Sequence, residues 1–265
     1  WKTLSGNRTE RRIAAAVKAA EEDGGALFYT YRNIWKYFYI TVSSNNVVHM
    51  PRMYLNSFIY AFGSAVTSTL VPCVAAYLCA RYNFKFSKIM RNTVIVVMII
   101  PIIGSMPSEI AMAKRLGMLD TFWGLWVMKA NFLGLYFLVF YDIFKAMPMA
   151  FTEAAKIDGA TNMQILIKIG LPLAKNTIST VFLIRFVEFW NDYQTPMVFM
   201  SSFPTVAKGL NDLINGNLAI SGTFNPQQTP ARMAAVVMTG LPVLVLFLVF
   251  QNKLMSNLTM GGVKG

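Results

Sequence analysis

Charged residues fall at wide intervals along this chain, and the apolar runs between them have helical rather than strand lengths. Arg52 and Arg81 bracket 28 residues without an ionised side chain, Arg91 and Glu109 bracket 17, and Arg232 and Lys253 bracket 20. A bilayer core takes about 20 helical residues to cross, so the first and third runs are long enough and the second is at the short limit. Two further stretches carry isolated charges: Thr121 to Phe144 with Lys129, and Asn176 to Pro196 with Arg185 and Glu188. The pattern predicts five membrane-spanning helices. Buried helices of soluble proteins are usually shorter and have amphipathic neighbours. Pro72, Pro101 and Pro242 fall inside the predicted spans, where neighbouring groups can satisfy the carbonyls that proline frees.

Composition points the same way. Of 265 residues, 55% are hydrophobic and 14% charged, against ~25% charged in soluble domains; mean hydropathy is +0.46. This excludes a disordered tail and does not fit an ordinary soluble enzyme. The net charge of +12 fits basic cytoplasmic loops and a lipid environment better than a nucleic-acid partner. Cys73 and Cys79 lie six residues apart on one predicted helix, a rise of roughly 9 Å that no disulfide bridges. His49 is the only histidine, so neither a metal cluster nor a catalytic constellation is expected.

Basic residues in short connectors set the orientation. Arg81, Lys85, Lys88 and Arg91 share a connector with no acid, which places it in the cytoplasm. Alternation then puts Glu109 to Asp120 outside, Lys145 to Lys175 inside, Phe199 to Pro230 outside and the tail inside. The expected division is an extracytoplasmic segment 1–53, a transmembrane domain 54–252 with a cytoplasmic loop 146–175, and a cytoplasmic tail 253–265. Segment 1–53 carries eight bases and four acids and fits the charge rule poorly. With Trp1 as first residue, it suggests that a preceding span is missing. The alternative is an amphipathic surface helix over Asn7 to Glu22.

The cytoplasmic connector contains Glu153-Ala154-Ala155-Lys156-Ile157-Asp158-Gly159-Ala160 and then Ile169-Gly170-Leu171-Pro172. Physically it reads as two short helices about a turn. Ala154 and Ala155 favour helix, Gly159 suits a left-handed C-terminus, and Thr161 or Asn162 can cap the second helix. Such a small-residue knob fits either a groove on a partner protein or the membrane surface.

These residues resemble the coupling loop of ABC importer permeases. Glu153-Ala154-Ala155 with Asp158-Gly159-Ala160 and Leu171-Pro172 is similar to the carbohydrate-uptake branch, in particular to the smaller permease subunit of maltose-type importers. Asn56-Ser57, Leu116 to Thr121, Trp190-Asn191-Asp192-Tyr193 and Gly261 to Gly265 extend the likeness in order along the chain. Departures are Asn176 where relatives often have proline, the missing first span, and the stretch Ala14 to Gly25. The resemblance implies an all-α integral membrane protein, a type I importer transmembrane domain with five of six spans present, in a bacterial cell membrane. It implies import of sugars or oligosaccharides by alternating access, with other solutes (amino acids, peptides, polyol phosphates) as the nearer alternative and an ATPase-independent secondary transporter as the remoter one. Implied partners are a second homologous permease, a dimer of ATP-binding subunits and an extracytoplasmic solute-binding protein. On this likeness Glu153 meets the ATPase, Ala154 and Ala155 permit close approach, Gly159 turns the chain, and the C-terminal tail reaches the same interface. The chain has no phosphate-cradling Gly-x-x-x-x-Gly-Lys loop, so no cofactor is expected on it; ATP and Mg belong to the partner.

Charges inside spans are costly and often functional. Arg185 and Glu188, three residues apart on one helix, either neutralise each other or line the solute path; Lys129 and Asn191 are the other path candidates. Asp192 is expected near the outer end of its span, and Trp190 and Tyr193 fit an interfacial aromatic belt there. The polar connector Phe199 to Pro230, with turn signals at Gly216-Asn217 and Asn225-Pro226, is a candidate docking face for the solute-binding protein. The 17 methionines read as adaptable packing.

Overall fold

The structure, a computed structural model, describes residues 26–43, 46–82, 85–100, 104–216 and 229–260. The predicted surface helix over 7–22, Pro101, the turn signals from Asn217 to Pro226 and the glycine-rich end of the tail lie outside these residues. The chain divides into two compact units, one of residues 1–57 with 193–245 and one of residues 58–192 with 246–265.

In the first unit, helix α1 (Ala26–Tyr37) leads into an antiparallel hairpin of β1 (Tyr39–Ser43) and β2 (Asn46–His49), with Ile40 opposite Val48. The hairpin departs from the expected all-helical chain. Ile40, Thr41, Val42, Val47 and Val48 are β-branched, which favours extended backbone. An isolated two-stranded ribbon is marginal in water; here Ile40 and Val48 are buried in a core with Ile34, Phe38, Met50 and Met53. Helices α11 (Gln194–Phe199) and α12 (Val206–Ile214) give structure to the predicted outer connector. Asn56 Nδ2 donates to the Pro204 carbonyl at 3.1 Å, and the Val206 N–H donates to Ser57 Oγ at 2.8 Å. The Asn56-Ser57 pair thus satisfies buried backbone groups that would otherwise be costly.

The second unit is built on helix α2 (Met50–Arg81), whose first residues belong to the first unit. Its buried positions Ser57, Ala61, Ser64, Ala65, Ser68, Thr69, Cys73 and Ala76 recur at helical spacing. In a lipid surround, where apolar burial drives little association, such small residues let helices approach closely. Gly63 shows how closely: a Cβ there would lie 2.1 Å from Trp126 Cε2. The remaining elements are α3 (Lys85–Ile99), α4 (Met106–Arg115), α5 (Phe122–Met128), α6 (Leu135–Ala146), α7 (Met149–Ile157), α8 (Asn162–Ile165), a π-helical turn Leu166–Gly170, α9 (Leu171–Leu173) and α10 (Lys175–Asn191). Helix α13 (Thr229–Met260) runs from the first unit into the second. Cys73 and Cys79 are both free thiols.

Among the described residues, Met50–Arg81 and Pro230–Phe250 are long and apolar enough to cross a membrane singly. Two bent pairs, Leu135–Ala146 with Met149–Ile157 (67°) and Asn162–Leu173 with Lys175–Asn191 (73°), pass the same length and apolarity test only when taken together, for up to four spans. The five expected spans are therefore redistributed. The run 92–108 is shared between two helices, α3 from Lys85 to Ile99 and α4 from Met106, so Lys85, Lys88 and Arg91 of the expected basic connector lie on α3. Thr121 to Phe144 is not one helix: α5 ends at Met128, and Leu133 N–H donates to Asn131 Oδ1 at 2.8 Å, a local turn that competes with the helical ladder. Trp190 also differs from expectation. It is 3% exposed and stacks on Phe186 at 5.9 Å, so it packs the interior rather than facing lipid headgroups.

Candidate functional site

Two sites emerge, both within the second unit. The first is the connector. Met147 is extended (ψ 127°), the conformation imposed on a residue before proline, and Pro148 then opens α7. Helix α7 ends in a Schellman motif: Ala160 N–H donates to the Ala155 carbonyl at 2.9 Å and Gly159 N–H to the Lys156 carbonyl at 3.0 Å. Gly159 has φ +78°, a region that costs other residues about 1–2 kcal/mol. Thr161 and Gln164 then form a reciprocal capping box on α8. Pro172 has no N–H to donate, and the ladder before it slips to a π-helical turn in which Leu171 N–H donates to the Leu166 carbonyl.

The sequence-predicted coupling residues are brought onto this single structured hook. Glu153, Ala154, Asp158 and Pro172 are exposed; Ala155, Ala160 and Leu171 are half-buried. Large apolar side chains stand out beside them: Ile157 is 86% exposed, Met163 63% and Ile167 54%. Large apolar side chains left exposed on a capped element suit an interaction surface.

The second site is a polar cavity of about 350 Å³, lined among others by Ser68, Glu109, Lys129, Asn131, Arg185 and Phe189. The break between α5 and α6 creates it, because it leaves Lys129 and Asn131 on non-helical chain facing α2 and α10. Arg185 Nη1 is 2.8 Å from Glu188 Oε2, and its guanidinium lies 4.4 Å from the Tyr136 ring centroid. Tyr136 Oη reaches Glu188 Oε1 at 3.5 Å. Lys129 Nζ lies 4.0 Å from Asp192 Oδ2, which also accepts from Tyr60 Oη at 2.8 Å. Of the four path candidates, Lys129 and Arg185 line the cavity and Glu188 pairs beside it. Asn191 turns back to its own helix, donating to the Val187 carbonyl at 2.9 Å. Sequence reasoning missed Glu109, Asn131 and Tyr136; the Asn131 and Gly134 turn signals inside an apolar run were the available clue. A second cavity of about 510 Å³ is lined by Phe58, Phe62, Phe182, Phe186 and other uncharged residues.

A helical chain with two helices long and apolar enough to cross a membrane, a doubly capped hook and a polar cavity is the class these features define. Residues 68–254 match the family described as binding-protein-dependent transport system inner membrane component, and the chain belongs to that family. It is 28% identical over 231 residues to the sulfoquinovosyl glycerol transport system permease protein SmoH of Agrobacterium fabrum, covering 86% of this chain and 77% of that protein. It is 30% identical over 210 residues to the sn-glycerol-3-phosphate transport system permease protein UgpE of Yersinia pestis, covering 78% and 72%. The maltodextrin transport system permease protein MdxG of Bacillus subtilis is 28% identical over 229 residues, covering 80% and 75%. A chain of a bacterial ABC transporter involved in the import of the acidic polysaccharide alginate shares the fold, with a TM-score of 0.63 at 22% identity over 92% of this chain and 97% of that one.

Proposed function

We propose that this chain is the permease subunit of an ATP-driven importer that moves a sugar or oligosaccharide across a bacterial inner membrane by alternating access. It hydrolyses nothing itself. A dimer of ATP-binding subunits uses ATP and Mg, a second homologous permease completes the path, and a solute-binding protein delivers substrate from outside. The observation that carries this reading is the hook 149–173: a rigid, doubly capped helical element with exposed Glu153, Ala154 and Ile157, shaped to enter a groove on a partner. Residues 54–252 form the transmembrane domain on this reading, 1–53 lie outside and 253–265 inside.

The cavity supports a hydroxyl-rich, uncharged substrate. Lys129 and Arg185 each face a carboxylate, so the site offers paired donors and acceptors with the aromatic face of Phe189 rather than an uncompensated cation. A polyol phosphate is the second reading, favoured by the likeness to the glycerol-phosphate permease. The test is uptake by the complex reconstituted in liposomes. Maltodextrin uptake not displaced by sn-glycerol-3-phosphate supports the first reading; the converse supports the second. Glu153→Lys is expected to abolish uptake and uncouple ATP hydrolysis while the chain still inserts, and wild-type uptake in that variant would refute the coupling role.

A further inference from the structure

By its place in the sequence Arg81 is an ordinary connector charge, one of four bases marking the cytoplasmic side. The structure puts it elsewhere. Its side chain is buried, only 8% exposed, and its guanidinium is directed onto the start of the hook. Nη1 donates to the Met147 carbonyl at 2.7 Å, and Nη2 donates to the Pro148 carbonyl at 3.2 Å and to Thr152 Oγ1. The carbonyl of Met147 belongs to the C-terminus of α6, where helical carbonyls lack partners of their own, and Pro148 has already broken the ladder. Arg81 therefore joins the last residue of α2 to the bend itself and to the first turns of α7. The planar guanidinium, with five N–H donors in a fixed fork, suits three such acceptors at once.

The neighbours of Arg81 extend the same connection. The Tyr77 ring meets Phe144 edge-on at 5.2 Å. A Cβ on Gly170 would lie 2.8 Å from Tyr77 Cε2, so the π-helical turn rests directly on that ring. Lys156 Nζ sits 5.9 Å from the centroid of the Tyr82 ring. The end of α2 thus holds α6, α7 and the π-helical turn together, while α2 also lines the polar cavity through Ser68 and Pro72.

We propose that Arg81 is a positioning residue that locks the hook to α2, so that force applied to α7 moves the wall of the polar cavity. This deepens the importer reading and rests on it. The rival explanation is that Arg81 merely caps α6 and supports folding. The two differ in what is lost: a structural cap lowers the amount of assembled transporter, whereas the lock lowers solute moved per ATP in the transporter that does assemble.

The experiment uses the intact complex reconstituted in liposomes. Arg81→Met is expected to lower maltodextrin uptake per ATP hydrolysed about tenfold at equal assembly, with Arg81→Lys recovering part of the loss. Thr152→Val keeps shape and removes one acceptor, and is expected to lower the ratio about threefold. Spin labels at Leu78→Cys and Phe151→Cys, two exposed positions on α2 and α7 outside the residues assigned to the partner groove, with Cys73 and Cys79 replaced by alanine, read the lock directly. The interlabel distance is expected to stay single and unchanged when ATP and Mg are added, and to broaden in Arg81→Met. An unchanged uptake-to-ATP ratio in Arg81→Met, or an interlabel distance that shifts with ATP in the otherwise native chain, overturns the proposal. A complex that moves no maltodextrin yet keeps the labels locked defeats the sugar reading and leaves the lock standing.

Discussion

Two interruptions of the helical ladder do the structural work here, and they are built on opposite principles. The break at Met147–Pro148, with the hook that follows, satisfies its backbone through local devices: a proline start, a Schellman end at Gly159 and a capping box at Thr161. Its exposed side chains mix Glu153, Ala154 and Asp158 with the large apolar Ile157, Met163 and Ile167. The break at Lys129–Gly134 has no proline start or capping box but short turns, with Ala130 N–H donating to the Val127 carbonyl, Asn131 N–H to the Lys129 carbonyl and Leu133 N–H to Asn131 Oδ1, and it is surrounded by paired charges and aromatic rings. The first is a rigid part that can transmit force. The second is a gap in a wall, where irregular backbone is tolerated because it lines a polar cavity. Coupling and passage are therefore separable, and substitutions can strike one without the other.

The largest expected effect falls on the hook. Gly159→Pro demands φ near −65° where the chain has +78°, and it deletes the N–H that donates to the Lys156 carbonyl. Uptake is expected to disappear and ATP hydrolysis to become insensitive to substrate, measured in liposomes, while membrane insertion persists. Retention of substrate-stimulated hydrolysis would show that the hook need not be rigid. On the cavity side, Arg185→Met with Glu188→Met removes a neutral pair together. It is expected to raise the KM for uptake about tenfold, the scale of one or two lost charge-assisted hydrogen bonds, with the ATP cost per solute unchanged. A change in that ratio instead would erase the distinction between the two regions.

The hook was legible because its instructions are local. Ala154 and Ala155 favour helix, Gly159 ends it and Thr161 caps the next, and each acts within a turn or two. The long apolar runs were legible as membrane helices for the same reason, and Pro72 and Pro242 indeed lie within helices. The interruption at Lys129–Gly134 was not, since an apolar run with one lysine has the same composition whether or not the backbone is continuous. Tertiary contacts that composition does not display surround it, among them the α5 indole of Trp126 against Gly63 of α2. Nor was the burial of Arg81 legible. Position among basic residues indicates a compartment, and three acceptors 66 or more residues away decide where its guanidinium rests. Nor was the hairpin at Tyr39 to His49 legible, since strands of five and four residues are marginal alone and are held by a core that α1 and α2 supply.

Gly63→Ala tests the contact with Trp126. A methyl group there must displace the Trp126 ring, and overpacking of this kind costs about 1–3 kcal/mol. Thermal unfolding in detergent is expected to shift downward. Pairing the change with Trp126→Phe should recover part of the loss, as a smaller ring leaves room for the added carbon. An equal loss in the single and double variants would mean that α5 is held by something other than this contact.

The smallest expected effects compare the two interruptions most directly. Thr161→Ala removes a capping box and should cost about 1 kcal/mol, whereas Asn131→Ala removes one exposed turn hydrogen bond and should cost about 0.5 kcal/mol. Stability alone hardly separates them, but function should. Loosening Thr161 frays the start of α8 and is expected to lower uptake per ATP modestly with KM intact. Asn131 lines the cavity, so its loss is expected to raise KM with the coupling ratio intact. Measuring both constants in both variants gives a crossed pattern if force and passage run through separate breaks, and parallel losses if the two breaks behave as one.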